Sequence, residues 1–202
     1  MWMRVAAAFA SGGDVAGAGA DLLMRYAERH RSYHGLAHLQ AVLQYVDELA
    51  AHAEHPDVVR LAAWFHDSVY DPRRNDNEER SAELAETLLA GLRVEPVIID
   101  EVVRLVRLTA SHRPDEGDRN GAVLCDADLA ILGADDDAYA AYRDAVRAEY
   151  GHVDDASFRR GRAVVLRRLL AYHPLFTTST ACERWERAAR KNMTAELAAA
   201  EA

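Results

Sequence analysis

The stretch LAAWFHDSVYDPRRNDNEERSA, residues 61–82, joins the pattern of a buried helix to a pair of ionisable side chains. The apolar run LAAWF predicts a helix that packs into the core. It leads directly into His66 and Asp67, and Pro72 with Asn75 then marks a loop before an acidic segment. A buried imidazole or carboxylate is costly unless it is paired or bound to a metal. The stretch therefore predicts an interior polar site at the end of a core helix.

The rest of the chain follows the same helical pattern. Proline is scarce, strand-like alternation is nearly absent, and most segments repeat with a period of about 3.6 residues. The N-terminal stretch reads as a short first helix and a Gly-rich turn. Further helices are predicted over residues 14–29, 36–53, 56–68, 76–91, 95–111, 121–132, 135–150, 154–172 and 180–199. We therefore expect one all-α domain over residues 1–202, with helices too many and too short for a simple four-helix bundle.

Composition and charge restrict the classes of partner. The 202 residues include 33 acidic and 24 basic ones, and the net charge of −9 opposes binding to a nucleic-acid duplex, which needs a basic stripe. No apolar run reaches the roughly 18–20 residues of a membrane span, so no membrane partner is expected. The N-terminal apolar run VAAAFA is shorter than the apolar region of a signal peptide. Two cysteines, Cys125 and Cys182, make no disulfide framework, and we expect a cytoplasmic protein.

Three polar groups interrupt the apolar helical pattern. They are His34 and His38 in RSYHGLAH, His66 and Asp67 in WFHD, and Asp126 and Asp128 in VLCDADLAILG. Each group alone has an ordinary explanation as a helix cap, a surface residue or a contact with the helix dipole. Taken together, two imidazoles and two carboxylates from three helices suit a nitrogen and oxygen site for Mn, Fe, Co, Ni, Mg or Zn.

The order His, His-Asp, Asp resembles the HD-domain superfamily of metal-dependent phosphohydrolases. The segments YHGLAHLQAVL, AAWFHDSVYDPRRNDNEERSA and LCDADLAILG are similar to one subfamily of predicted metal-dependent HD phosphohydrolases. Two later segments, YAAYRDAVRAEYGHV and RAARKNMTAEL, also look like that subfamily. The resemblance spans roughly residues 20–197 and implies an HD-domain-like, multi-helix globular fold.

The resemblance also implies four metal ligands, which are His38, His66, Asp67 and Asp128. His38 matches the first motif histidine because the HLQAVL helix follows it directly. Asp128 matches the last aspartate as the second acidic residue of an Asp-x-Asp pattern. His34 remains an alternate ligand or a partner of the ligands, and Asp126 is expected to cap the helix or orient a ligand.

HD enzymes generally bind a phosphoryl group through one or two metals and activate water, so a general acid is also required. The candidates for the acid are Asp71, Glu78 and His112. Asp71 follows the doublet by about one helical turn, and Glu78 lies in the characteristic DNEERSA segment. His112 is the only histidine between Asp67 and Asp128, which favours one firmly held metal. A second metal would need help from His112 or Glu78.

Arginine side chains are the candidates for binding the substrate phosphate, because a guanidinium makes bidentate contacts. Arg147 and Arg113 are the two choices. Arg147 is equally well explained as a structural ion pair with Glu149 or Glu183.

The leading functional hypothesis is hydrolysis of a small phosphorylated molecule, a nucleotide or a related metabolite. One alternative is an HD-fold iron oxygenase, since two histidines and a carboxylate also bind Fe(II), although the shortage of further histidines weighs against it. Another is a regulatory module with a structural metal. The stringent-response nucleotide hydrolases share the His-Asp doublet but carry Glu-Asp after it, where this chain has Tyr70 and Asp71. Their substrate is therefore not expected here.

Overall fold

The computed structural model describes residues 1–201, and throughout this range the regular structure is helical. The α-helices are α1 Trp2–Phe9, α2 Val15–Tyr26, α3 Leu36–Glu48, α4 Pro56–Phe65, α5 Asn77–Gly91, α6 Pro96–Leu108, α7 Arg119–Leu129, α8 Asp136–Glu149, α9 Asp155–Leu170 and α10 Ser179–Glu201. Short 3₁₀ turns, Ala50–His52 and Ala130–Gly133, follow α3 and α7. The all-α prediction is confirmed.

Local sequence explains where most helices begin. An aspartate side chain accepts a hydrogen bond from the backbone N–H three residues further on at the starts of α2, α7, α8 and α9, where the caps are Asp14, Asp118, Asp135 and Asp154. Proline opens α4 and α6, where its missing N–H costs nothing and its fixed φ suits the first turn. Helix α4 ends at Phe65, three residues earlier than the sequence predicts, so His66 and Asp67 lie where the chain leaves the helix.

The three helices that carry the candidate ligands pack against one another at the centre of the molecule. Helix α3 contacts α4 and α7, and α4 also contacts α7 and α6. Their shared interface is apolar, with Val46, Phe65 and Leu124 fully buried. The polar cluster described below is therefore enclosed on the core side by hydrophobic packing, which lowers the local dielectric around it.

The remaining helices close the core from outside. Helices α5 and α6 form an antiparallel pair against α4, while α10 packs on α9 and on the turn Ala130–Gly133. Both cysteines, Cys125 and Cys182, are free thiols. Among residues 1–201, no helix combines the length and the apolar character that crossing a membrane requires.

Helix α6 supplies a direct test of the core. Leu105 is fully buried, whereas Val97 in the same helix is 66% exposed. We expect Leu105→Ala to lower the free energy of unfolding by about 2–5 kcal/mol, because it removes buried methyl groups and leaves a cavity. Val97→Ala should change it by less than about 0.5 kcal/mol. Equal losses in denaturant titrations would contradict this packing of α6.

Candidate metal centre

His38, His66 and Asp67 converge on one point. His38 lies in the first turn of α3, and the doublet lies at the end of α4. The Nε2 atoms of the two histidines are 3.1 Å apart. Asp67 Oδ2 lies 3.4 Å from Nε2 of His38 and 3.2 Å from Nε2 of His66. One donor atom from each residue lies within 4.8 Å of the others, so the three residues could hold a metal ion.

Asp128 adds a second carboxylate to this cluster from the last turn of α7. Its Oδ1 lies 3.2 Å from Nε2 of His38 and 3.6 Å from Nε2 of His66. Its Oδ2 accepts a hydrogen bond of 2.7 Å from Nε2–H of His112. The two oxygens of Asp128 thus face different partners, one towards the imidazoles and the other towards His112.

The donor atoms of the cluster have the spacing that a metal requires. Ligands about 2.1 Å from a metal lie about 3.0 Å apart at adjacent octahedral positions and about 3.4 Å apart in a tetrahedron. Four of the five observed separations, 3.1–3.4 Å, fall in this range, and the fifth, 3.6 Å between Asp128 Oδ1 and His66 Nε2, is slightly longer. His66 donates its Nδ1–H to the carbonyl of Ala63 at 2.8 Å, which leaves Nε2 as the atom facing the cluster. His38, His66 and Asp67 could therefore hold a metal ion, and Asp128 lies beside them.

The electrostatics of the cluster favour positive charge at its centre. Burial lowers the pKa of His38, but hydrogen bonds and charge from Asp128 and Asp67 outweigh burial and raise that pKa to about 10. Burial raises the pKa of Asp128, yet the neighbouring His66 charge and the hydrogen bond from His112 lower it overall. The pKa of Asp67 is lowered in the same way, since His66 and His38 outweigh its burial. Both carboxylates are thus set to remain ionised in the interior.

A buried glutamate fixes the backbone beside His38. Glu149, at the end of α8, is only 5% exposed. Its Oε1 accepts the N–H groups of Tyr33 and His34 at 2.7 and 2.9 Å. Its Oε2 accepts Nδ1–H of His34 at 2.6 Å and the hydroxyl of Tyr70 at 2.8 Å. Burial raises the pKa of Glu149, but the hydrogen bond and charge of His34 lower it overall, so the carboxylate stays ionised.

A buried arginine joins the two ligand-bearing segments. The Arg31 side chain is fully enclosed. Its Nη1 donates to the carbonyls of Asp67 at 2.6 Å and His34 at 3.1 Å, and its Nη2 donates to the carbonyl of Ser68 at 3.3 Å. One guanidinium therefore binds the turn after α4 to the segment that leads into α3, and it sets the relative positions of the ligands.

Two further predicted residues lie at the cluster. His34 is beside His38, with ring centroids 5.6 Å apart, and its hydrogen bond to Glu149 makes it a residue that holds the α3 entry in place. His112 contacts Asp128 directly, as described above. It adopts a left-handed backbone conformation, with φ of 52°, just after α6. A non-glycine residue in this region is uncommon, and the helix end and the Asp128 bond keep it there.

Asp126 does not take part in the cluster, contrary to the expectation that it orients a ligand or caps its own helix. Its carboxylate accepts the backbone N–H groups of Thr177 and Thr178 at 2.8 and 2.7 Å, immediately before α10 begins. Residues two apart on a helix point to different faces, so Asp126 and Asp128 cannot serve the same site. Asp126 therefore anchors the segment that leads into α10, while Thr178 Oγ1 caps that helix by accepting the N–H of Ala181 at 3.3 Å.

The structure does not place Asp71 one helical turn beyond Asp67, because α4 has already ended at Phe65. Its Oδ1 instead accepts the backbone N–H of Arg73 at 2.9 Å within the turn. Glu78 lies in the first turn of α5, and no hydrogen bond or ion pair of its side chain is found within residues 1–201. Neither carboxylate is therefore bonded to the cluster.

The two predicted phosphate-binding arginines differ in position. Arg147 bonds to Asp155 at 2.7 Å and to the carbonyls of Tyr150 and Val153. It ties the end of α8 to the start of α9, and the expected pairs with Glu149 or Glu183 are not formed. These bonds use the Arg147 guanidinium structurally, and its role in substrate binding stays a prediction. Arg113 is exposed and follows His112, with its guanidinium 5.1 Å from the ring centre of Tyr172.

Sequence reasoning missed Arg31 and did not recognise Glu149 as part of the site. Both residues are charged, and a charged side chain on a helix or in a turn is usually exposed. The only signal was their place in segments already singled out, RSYHGLAH and VRAEYGHV. Which of several charged residues in such a segment is buried depends on packing between distant parts of the chain.

Comparison of the chain with models of known protein families, with curated proteins and with solved structures finds no match.

The role of Glu149 as a backbone anchor can be measured. We expect Glu149→Ala to lower the free energy of unfolding by about 2–4 kcal/mol, because buried N–H groups lose their acceptor. Glu149→Gln keeps an oxygen for these donors and should lower the free energy of unfolding by less. Glu183→Ala, at an exposed position, serves as the control and should have almost no effect. If Glu149→Ala and Glu183→Ala unfold at the same denaturant concentration, Glu149 is no anchor.

Proposed function

We propose that this protein is a metal-dependent phosphohydrolase that acts on a small phosphate ester, a nucleotide or a related metabolite. The observation that carries the proposal is the four-residue cluster of His38, His66, Asp67 and Asp128, whose donor atoms have metal-ligand spacing. The order of these residues along the chain, which resembles that of HD-domain phosphohydrolases, agrees with it. Within the proposal, these four side chains hold a divalent cation.

When bound, such a cation supplies a water of lowered pKa and neutralises charge on phosphoryl oxygens. The chain itself supplies the orientation of the ligands. Nε2–H of His112 donates to Oδ2 of Asp128, which directs Oδ1 towards the two imidazoles. Arg31 and Glu149 hold the segments that carry the other ligands. A site prepared in this way needs no reorganisation of its ligands when substrate arrives.

A cavity of about 390 Å³ beside His112 is the proposed place for the substrate. Arg113, Tyr172 and His173 also line it. The guanidinium of Arg113 has the geometry for bidentate contact with a phosphoryl group. His112 lies between this cavity and Asp128, so its ring is the titratable group best placed to move a proton to or from a leaving oxygen. In this proposal, Arg113 binds the phosphate and His112 is the general acid.

The metal ligands can be separated from a matched control in the same helix. We expect Asp128→Asn to weaken metal affinity by at least about 100-fold, because it alters a direct carboxylate ligand. Asp126→Asn should leave metal content near that of the wild type and cost about 1 kcal/mol of stability, since it weakens the hydrogen bonds from Thr177 and Thr178 that hold the entry to α10. Elemental analysis and metal titration of both variants make the comparison. The reverse ranking would overturn the assignment of Asp128.

The catalytic role of His112 can be tested on a panel of phosphomonoesters and nucleotides with Mn, Mg, Co, Ni and Fe. We expect the wild type to release phosphate, and His112→Ala to lower kcat by about 10²–10⁴-fold, the range for loss of a general acid or base. Glu78→Gln is the comparison, since no bond links Glu78 to the cluster, and it should have the smaller effect. A larger loss for Glu78→Gln would place the acid there instead.

The same panel distinguishes the other functional classes. Oxygen consumption by the iron-loaded protein, without phosphate release, would indicate an oxygenase and contradict the proposal. A protein that binds metal with full stoichiometry but turns over no phosphate ester with any of these metals would indicate a structural metal in a regulatory module.

A further inference from the structure

A second cavity, of about 590 Å³, lies next to the metal cluster but is not part of it. None of the four candidate ligands lines this cavity. Tyr70 and Glu149 form part of its wall, and both contact His34, through ring stacking at 4.3 Å and a hydrogen bond of 2.6 Å. Side chains that support the metal cluster thus separate this cavity from it.

Four arginines from three separate segments surround this cavity. Arg25 lies at the end of α2 and Arg29 in the turn after it. Arg73 lies in the turn before α5 and Arg80 in the first turn of α5. None of their guanidinium groups has a hydrogen bond or ion pair within residues 1–201, although the chain carries 33 acidic residues. Like charges held around one cavity repel each other, so their arrangement favours a bound anion.

The acidic residues of the same cavity are already bonded elsewhere. Glu28 pairs with the buried Arg31 at 3.0 Å, and Glu149 accepts three hydrogen bonds from the α3 entry and one from the Tyr70 hydroxyl. Asp71 accepts the backbone N–H of Arg73 and keeps its negative charge. The cavity wall therefore carries four guanidinium groups and three carboxylates, one of which, Glu28, is paired with an arginine outside the wall.

We propose that this cavity is a second ligand site, which binds a small phosphorylated anion separately from the metal centre. Several guanidinium groups from different directions match the many acceptor oxygens of a phosphate or diphosphate group. The volume lies within the range of about 300–1,000 Å³ that is typical of small-molecule sites. Its concave shape suits a small anion and does not suit a duplex, which needs an extended basic surface. This site goes beyond the proposed hydrolase function and does not depend on it.

Isothermal titration calorimetry of the full-length protein with inorganic pyrophosphate tests the proposal. We expect saturable binding by the wild type, and at least a tenfold loss of affinity for the double variant Arg29→Met and Arg80→Met, which loses two charged contacts. Arg187→Met is the matched control, because Arg187 is exposed on α10 and lies away from the cavity, and it should bind like the wild type. Circular dichroism checks that the exposed substitutions leave the helical fold intact.

The variant Asp128→Asn separates this site from the metal centre. Pyrophosphate affinity should persist within about threefold in Asp128→Asn, because the arginine-lined cavity does not use that carboxylate. Loss of binding in Asp128→Asn with retention in the arginine double variant would place the anion at the metal centre and overturn the proposal. Absence of binding by the wild type, or equal losses in the double variant and Arg187→Met, would overturn it as well.

Discussion

Two imidazole nitrogens, Nε2 of His38 and Nε2 of His66, lie 3.1 Å apart in the interior of the protein. Two bare lone pairs repel at this distance, and so do two protonated rings, so either one ring donates its N–H to the lone pair of the other or positive charge lies between the two. Asp67 and Asp128 flank the pair and favour that charge. The packing of α3, α4 and α7 around one point is therefore an electrostatic requirement as well as a hydrophobic one.

Two charged residues outside the cluster make this geometry possible. Arg31 donates hydrogen bonds to carbonyls in the turn after α4 and in the segment before α3. Glu149 accepts hydrogen bonds from the N–H groups of that same segment. Each residue compensates buried backbone groups that no helix could satisfy. The candidate ligands thus lie at or near helix ends, and Arg31 and Glu149 fix the backbone segments beside them. Such support is the usual condition for a precise site.

The sequence was informative where local pattern decides structure. Apolar periodicity predicted the helices, and the motif order predicted which residues cluster around His66. It was less informative where the outcome depends on helix ends and distant packing. The expected position of Asp71 requires α4 to continue beyond Phe65, where it ends, and the partners of Asp126 lie 51 and 52 residues further along the chain, just before α10. Glu149 is distant from His34 along the chain, so only the folded structure reveals their bond.

The central claim is that these four side chains bind one cation between them, and an anomalous diffraction experiment tests it most directly. A crystal of the zinc-loaded protein, measured at the zinc absorption edge, locates the ion independently of any activity. We predict one strong peak about 2.0–2.2 Å from Nε2 of His38 and of His66 and from one oxygen each of Asp67 and Asp128. No peak at this position, or peaks only at surface histidines such as His55, would contradict the account.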